Sequence, residues 1–227
     1  MSFKSAVITF PGSNCDRDAL TYLKDLTHGE VFNIWHEESY LPNVDLVILP
    51  GGFSFGDYLR SGAMASKSNI IHDVIDHANN GRYLLGICNG FQILTEIGLL
   101  KGALIQNKSI KFLGKDCYIK KKFDNKFNCN IKDTEVLQIP VAHNEGNFYC
   151  DQETLKYLQN EELIAFEYCR GEDSIDDGNI NGSLDNIAGI TNKKRNILGM
   201  MPHLRGLIKI FTFQKMEKKL LNRYYHE

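Results

Sequence analysis

The run Tyr83-Leu-Leu-Gly-Ile87 passes into the stretch Asn89–Ile97 with a single residue, Cys88, between them. The first five residues carry no charge and read as a strand buried on both faces; the stretch after Cys88 reads as a helix. A buried strand that feeds a helix without a linker points to helices packed on a mostly parallel sheet. The junction is Gly86-Ile87-Cys88-Asn89-Gly90, with a glycine two residues on either side of a cysteine. A side chain at either glycine would crowd so tight a turn, the logic that underlies a nucleophile elbow. The turn holds the sulfur at the carboxyl end of the strand, where the helix N-terminus offers N–H groups and a partial positive charge. Both favour the thiolate, the reactive form. A cysteine simply packed between two glycines is the plainer alternative, and this spacing alone does not separate the two readings.

Upstream, apolar runs alternate with helical patterns. Ala6–Phe10, Val31–Trp35 and Val44–Leu49 read as strands, and Asp16–Leu26 and Ser68–Asn79 as helices. The first helix follows a Gly12-Ser13-Asn14 loop that supplies capping residues, and the second carries Ile70, Ile71, Val74, Ile75 and Ala78 on one face. Such alternation implies right-handed crossovers. Beyond residue 110 the strand candidates are shorter and closer together: Cys117–Ile119, Val136–Val141, Leu163–Tyr168, Ile187–Ile190 and Ile197–Met201. They predict an antiparallel extension of the sheet and an accessory ribbon. The expected fold is α/β, three-layer, with a mostly parallel central sheet flanked by helices. Lys120-Lys121-Lys122 reads as a solvated turn or strand face. No repeat or linker divides the chain, so residues 1–227 are expected to form one domain.

Composition narrows the function classes. A formal net charge of −2 gives no basic field for nucleic acid or an anionic membrane, and no run reaches the length of apolar residues a membrane span needs. The start, MSFKSAVITF, lacks the pattern of a secretory signal, so a cytoplasmic location is expected. The six cysteines are scattered, with no C-x-x-C pair and no metal-ligand spacing, so neither a disulfide framework nor a metal site is expected.

Two other segments carry chemistry. Leu49-Pro50-Gly51-Gly52-Phe53 ends a strand in glycines, which let backbone N–H groups approach a developing negative charge, although a plain left-handed turn would look the same. Gly199-Met-Met-Pro202-His203 ends a late strand in a histidine that can reach the sheet edge where the elbow lies, as a Cys–His pair requires.

The segment Gly86–Gln92 resembles the nucleophile motif of the triad-type, or class I, glutamine amidotransferases. More narrowly, the chain is similar to glutaminase subunits of phosphoribosylformylglycinamidine synthase. That likeness rests on Phe10-Pro-Gly-Ser-Asn-Cys-Asp-Arg-Asp18, Pro50-Gly-Gly-Phe-Ser-Phe-Gly-Asp-Tyr-Leu-Arg60, Pro140-Val-Ala-His-Asn-Glu-Gly146, and Asn181-Gly-Ser183 with Ile187–Ile190. It covers about residues 5–203 and implies a class I amidotransferase (flavodoxin-like) fold. It implies that Cys88 attacks the glutamine side-chain amide, that Gly52 and Asn89 donate N–H groups to the oxyanion, and that His203 moves the proton. Gln92, one helical turn after the nucleophile, suits substrate orientation, and His143 and Glu145 are candidates for holding glutamine or sensing a partner. The resemblance further implies a larger synthase subunit that binds ATP and Mg, a small accessory subunit, and no cofactor in this chain.

One departure stands out. In the resembled family the histidine is followed by proline and then a catalytic glutamate, whereas this chain reads His203-Leu204-Arg205. Residues 204–227 are basic and atypical. An arginine beside the imidazole would disfavour its charged form. Three readings follow: a reading-frame change that leaves an impaired glutaminase, a replacement carboxylate such as Glu217, or a slow Cys–His dyad. An impaired enzyme is the expectation. Two other functions compete with an ammonia-supplying subunit, namely a non-catalytic scaffold in the same complex and a stand-alone Cys–His hydrolase.

Overall fold

Two strands separated by more than a hundred residues of sequence lie side by side at the centre of the molecule, and the rest of the architecture brings them there. The computed structural model describes residues 3–27, 29–171 and 178–203. In chain order the elements are β1 (Ser5–Thr9), α1 (Asp16–Thr27), β2 (Val31–Trp35), β3 (Leu46–Leu49), α2 (Ile71–Asn79), β4 (Tyr83–Ile87) and α3 (Asn89–Glu96). There follow β5 (Ala103–Ile105), β6 (Leu113–Lys121), β7 (Val136–His143), β8 (Asn147–Tyr149), α4 (Gln152–Asn160), β9 (Ile164–Cys169), β10 (Ile187–Thr191) and β11 (Ile197–Met200). Among the described residues nine strands form one sheet, in the order β2-β1-β3-β4-β11-β10-β9-β6-β7.

The first five of these strands run parallel, β11 included. From β11 outward every pairing is antiparallel. The sheet is therefore α/β with a parallel core and an antiparallel extension, and β5 pairs with β8 as a separate two-stranded ribbon. The strands β3, β4 and β11 are buried at every position, as residues covered on both faces by helices must be. The segment Lys120–Lys122 belongs to a strand face with ion pairs: Lys120 and Lys122 reach Glu167, and Lys121 reaches Asp124 and Asp133.

Several expected boundaries shift for identifiable reasons. The strand expected from Val44 begins at Leu46, because Val44-Asp45 turns to meet Lys4: the Asp45 N–H donates to the Lys4 carbonyl at 2.8 Å, and the Lys4 N–H donates to the Asp45 carboxylate at 2.9 Å. The helix expected from Ser68 begins at Ile71, since Ser68 is extended at the end of a 3₁₀ turn, Ala65–Lys67. Two of the late strands are longer than expected: β6 spans nine residues and β7 eight, because they pair with each other over most of their length, whereas β10 and β11 keep to five and four. The helix α4 was not anticipated, although Asp151 caps it through a 2.7 Å bond from the Thr154 N–H.

The returning strand β11 is fixed at its start by Asn196. This fully buried amide donates to the carbonyls of Ala78 (2.8 Å) and Arg82 (2.7 Å) and accepts from the Asn192 side chain at 2.9 Å. It thus joins the end of α2 to the entry of β11. Asn196→Ala is expected to destabilise the fold by about 3 kcal/mol, because two buried carbonyls lose their donor. A urea-unfolding midpoint compared with the unsubstituted chain checks this.

Candidate active site

The elbow is strained. Cys88 adopts φ 51° and ψ −107°, a region that non-glycine residues avoid. Its N–H donates to the Met200 carbonyl at 2.8 Å, and its carbonyl accepts from the Phe91 (2.9 Å) and Gln92 (3.2 Å) N–H groups, so the strain is held between β11 and the first turn of α3. The two flanking glycines are required sterically. A Cβ on Gly86 would press on the Gly90 carbonyl, and one on Gly90 would overlap the Leu49 carbonyl oxygen, so α3 lies backbone to backbone on the end of β3.

Parallel pairing of β4 with β11 aligns Gly86 with Gly199 and Ile87 with Met200. Three residues after Met200 the chain delivers His203 to the same carboxyl edge as Cys88, and the His203 N–H is anchored on the Pro140 carbonyl at 2.9 Å. The two residues meet over Gly51. An added Cβ there would lie 3.2 Å from His203 Cε1, 3.4 Å from Cys88 Cβ and 3.5 Å from Cys15 Sγ. Gly51 is thus the floor on which three side chains converge. The Gly51-Gly52 turn is itself pinned by the loop before α1: the Cys15 N–H donates to Gly51 O at 3.3 Å and the Phe53 N–H to Gly12 O at 3.2 Å. Gly52, at φ 143°, needs its missing side chain, because a Cβ would strike Asn14 and Ser13.

Charge states follow from burial. Cys88 is 3% exposed, and burial pushes its thiol up to about 12, only partly opposed by the Asn89 backbone N–H beside the sulfur. The expectation that the helix N-terminus keeps a thiolate at rest is therefore corrected: desolvation outweighs the dipole, and the resting group is the neutral thiol, whose Sγ lies 3.7 Å from the Ala142 carbonyl. Burial also lowers the pKa of His203, so this ring is neutral near pH 7 and free to accept a proton. Its Nδ1 lies 3.7 Å from Cys15 Sγ, while its Nε2 is buried with no hydrogen-bond partner among the described residues. Alkylation of Cys88 by a small neutral electrophile, without substrate, is expected to accelerate about tenfold per pH unit up to at least pH 9, with no plateau near neutrality. Mass spectrometry of the labelled peptide measures it; a plateau near pH 7 would contradict the burial argument.

A cavity of about 250 Å³ opens beside this pair, lined by Cys15, Asp18, Gly51, Ile87, Pro140, Val141, Ala142 and His203. Of the other expected site residues, Asn89 and Gln92 are adjacent but engaged. The Asn89 amide donates to Gln92 Oε1 (2.8 Å) and Asp57 Oδ1 (3.3 Å) and accepts from the Ser54 hydroxyl. Gln92 Nε2 donates to the Glu145 carbonyl at 2.6 Å, and the Glu145 carboxylate accepts from the Ser61 N–H at 3.1 Å. Gln92 and Glu145 thus brace the 54–61 loop against α3. That loop needs bracing: Phe55, Gly56 and Asp57 all have positive φ, and burial raises the Asp57 carboxyl to about 6.

His143 is buried at the end of β7. Asn107 directs its amide N–H groups to the carbonyls of Lys111 and His143, so its oxygen must face His143 Nδ1, at 3.1 Å. That assignment places the proton on Nδ1 and leaves Nε2 as an acceptor, buried without a partner among the described residues. Burial, together with nearby His203, lowers its pKa to about 4, so His143 is neutral. Sequence reasoning did not single out Asp18, Asp57 or Asn107; Asp18 and Asp57 lay inside quoted motifs, whereas nothing local marked Asn107. The residues discussed as departures, Leu204, Arg205 and Glu217, lie outside the described residues. Among the described residues no group of three or more His, Cys, Asp or Glu side chains is placed to hold a metal, and no helix is long and apolar enough to cross a membrane.

A cysteine on a strained strand-to-helix turn, meeting a histidine from the neighbouring parallel strand above a glycine loop, places the chain among α/β proteins that carry the parts of a thiol-nucleophile site. The chain belongs to the CobB/CobQ-like glutamine amidotransferase domain family, whose sequence model matches residues 2–224, further than the motifs alone had reached. It is 49% identical over 199 residues to the phosphoribosylformylglycinamidine synthase subunit PurQ of Synechocystis, covering 87% of this chain and 89% of that one. It is 47% identical over 207 residues to the subunit of the same name from Pelagibacter ubique, covering 90% of each. The solved structure of PurLQS from Thermotoga maritima superposes with a TM-score of 0.78 at 36% identity, over 99% of this chain and 100% of that chain.

Proposed function

We infer that this chain is the glutaminase subunit of phosphoribosylformylglycinamidine synthase and works as a single amidotransferase domain. It is a glutamine amidotransferase, an enzyme of purine biosynthesis within a ligase complex. The observation that carries the site assignment is the meeting of strained Cys88 and His203 over Gly51.

With both groups neutral, the first step is general-base attack. His203 takes the thiol proton as the sulfur adds to the side-chain amide carbon of glutamine, and the N–H groups of Gly52 and Asn89 receive the negative charge that develops on oxygen. The C–N bond then breaks, and the proton on the imidazole passes to the departing nitrogen, which leaves as ammonia. Water, deprotonated by the same ring, cleaves the thioester to glutamate and restores the thiol. His143 Nε2, a neutral buried acceptor, suits a donor N–H of the amide or of the ammonia formed. Gln92 and Glu145 act by holding the 54–61 loop.

The ammonia serves a larger synthase subunit, where ATP and Mg act and formylglycinamide ribonucleotide becomes its amidine. The names PurQ and PurLQS support that assembly and a small third subunit, and a cytoplasmic setting accords with it. Release of glutamate from glutamine by this chain bound to the synthase subunit is the test. A covalent adduct on Cys88 from a glutamine-like electrophile is expected under the same conditions. Failure of both, with partner bound, would leave the non-catalytic scaffold as the reading.

A further inference from the structure

The described part of the site holds a neutral histidine that must become positive in mid-reaction, and no carboxylate forms a hydrogen bond to its ring among the described residues. One carboxylate nonetheless shares its cavity. Cys15 and Asp18 stand three residues apart at the start of α1, where the Ala19 N–H donates to the Cys15 carbonyl at 3.1 Å, so their side chains share one face of the helix. The first of the pair is 3.7 Å from His203 Nδ1, and both line the cavity that His203 closes. Nδ1 therefore looks toward the turn of α1 that carries Asp18.

We propose that Asp18 is the positioning residue for His203: its carboxylate faces the imidazole across the cavity from α1 and stabilises the imidazolium formed when Cys88 gives up its proton. This rests on the reading of Cys88 and His203 as the reacting pair. The groups facing His203 support it. Cys15 is a thiol, Cys88 across Gly51 is a neutral buried thiol, and His143 at the end of β7 is a neutral ring, so none of the three supplies a charge to the imidazole. Two groups favour the protonated ring, first the Ala142 carbonyl and then Asp18; Asp18 is the one that carries charge, and both act against the burial that lowers the His203 pKa. The helix dipole opposes a cation at this end of α1, so the carboxylate also offsets that field. In the resembled family a glutamate two residues beyond the histidine has this task; the sequence has Arg205 there.

The test uses the full chain and two readouts. Proton NMR titration follows the His203 ring, assigned by its loss in His203→Gln, in the unsubstituted chain, in Asp18→Asn and in Asp18→Glu. Asp18→Asn is expected to lower the His203 pKa by about half a unit or more, and Asp18→Glu to restore most of it. Glutamine hydrolysis with the synthase subunit bound is expected to lose about tenfold in kcat at pH 7 in Asp18→Asn, with KM little changed and partial recovery in Asp18→Glu. An unchanged His203 titration in Asp18→Asn overturns the proposal, whatever the activity. A shifted titration in a chain that never hydrolyses glutamine upholds the electrostatic role and instead defeats the functional reading on which it was built.

Discussion

Cys88→Ala is expected to lower glutamine hydrolysis by about 10⁴-fold or more while leaving the fold intact. The size follows from the step removed: without the sulfur there is no thioester, and His203 alone can only direct water at an amide that resists it. The control is built into the site, because a second thiol, Cys15, lies 3.7 Å from His203 Nδ1. Cys15→Ala is expected to retain the large majority of the activity, since Cys15 is on the approach to α1 and not on the elbow. If Cys88→Ala hydrolyses glutamine nearly as fast as Cys15→Ala, the nucleophile is misassigned. In the synthase complex, Cys88→Ala should lose amidation driven by glutamine and keep amidation driven by added ammonium salt, because the ammonia-using chemistry resides in the partner.

Gly90→Ala is expected to be among the most damaging single-methyl additions in the chain. The new Cβ would overlap the carbonyl oxygen of Leu49 and approach the Leu49 carbonyl carbon, at 2.7 Å, so the obstruction is backbone that no rotamer change can clear. Relief requires α3 to move away from β3, and that movement draws the Cys88 turn off the sheet. Destabilisation on the order of 3 kcal/mol or more is expected, a fall of roughly 10 °C in Tm for a chain of this size. Thermal unfolding followed by circular dichroism measures it. Hydrolysis should fall further than stability accounts for at 25 °C, because the elbow geometry is lost even in molecules that remain folded. By contrast Gly98, at φ 75° with open space around its Cβ position, meets no such obstruction and pays only for its backbone conformation.

The legibility of the sequence varied with how local the determinant was. Tyr83–Ile87 and Val31–Trp35 were placed to the residue because each is a continuous run bounded by turn signals. The elbow glycines were readable because their requirement arises within five residues of chain. The segment Pro50–Arg60 was recognised as a motif, yet the bracing of its 54–61 part by Gln92 and Glu145 was not, since the partners come from α3 and from beyond β7. Asn107 was invisible for the same reason: its importance lies in the four groups it satisfies around His143 and Gly146, none of them near in sequence except Lys111. The expectation of a resting thiolate failed on a global quantity. A helix N-terminus can be read locally, whereas complete burial of Cys88 depends on the β4–β11 pairing and the cover supplied by β7.

The sequence by itself determined the parallel core, the tight turn at Cys88 and the membership of a glutamine-cleaving family, because each is written in apolar periodicity or in glycine placement over a short span. The tertiary structure alone decided which groups share the cavity. It set His203 beside Cys88 through the register of β11 on β4, turned Nδ1 toward the start of α1, and made thiol and imidazole neutral by removing water from both. Charge state and mutual approach depend on distances through space, and a linear pattern carries those only after the chain has folded.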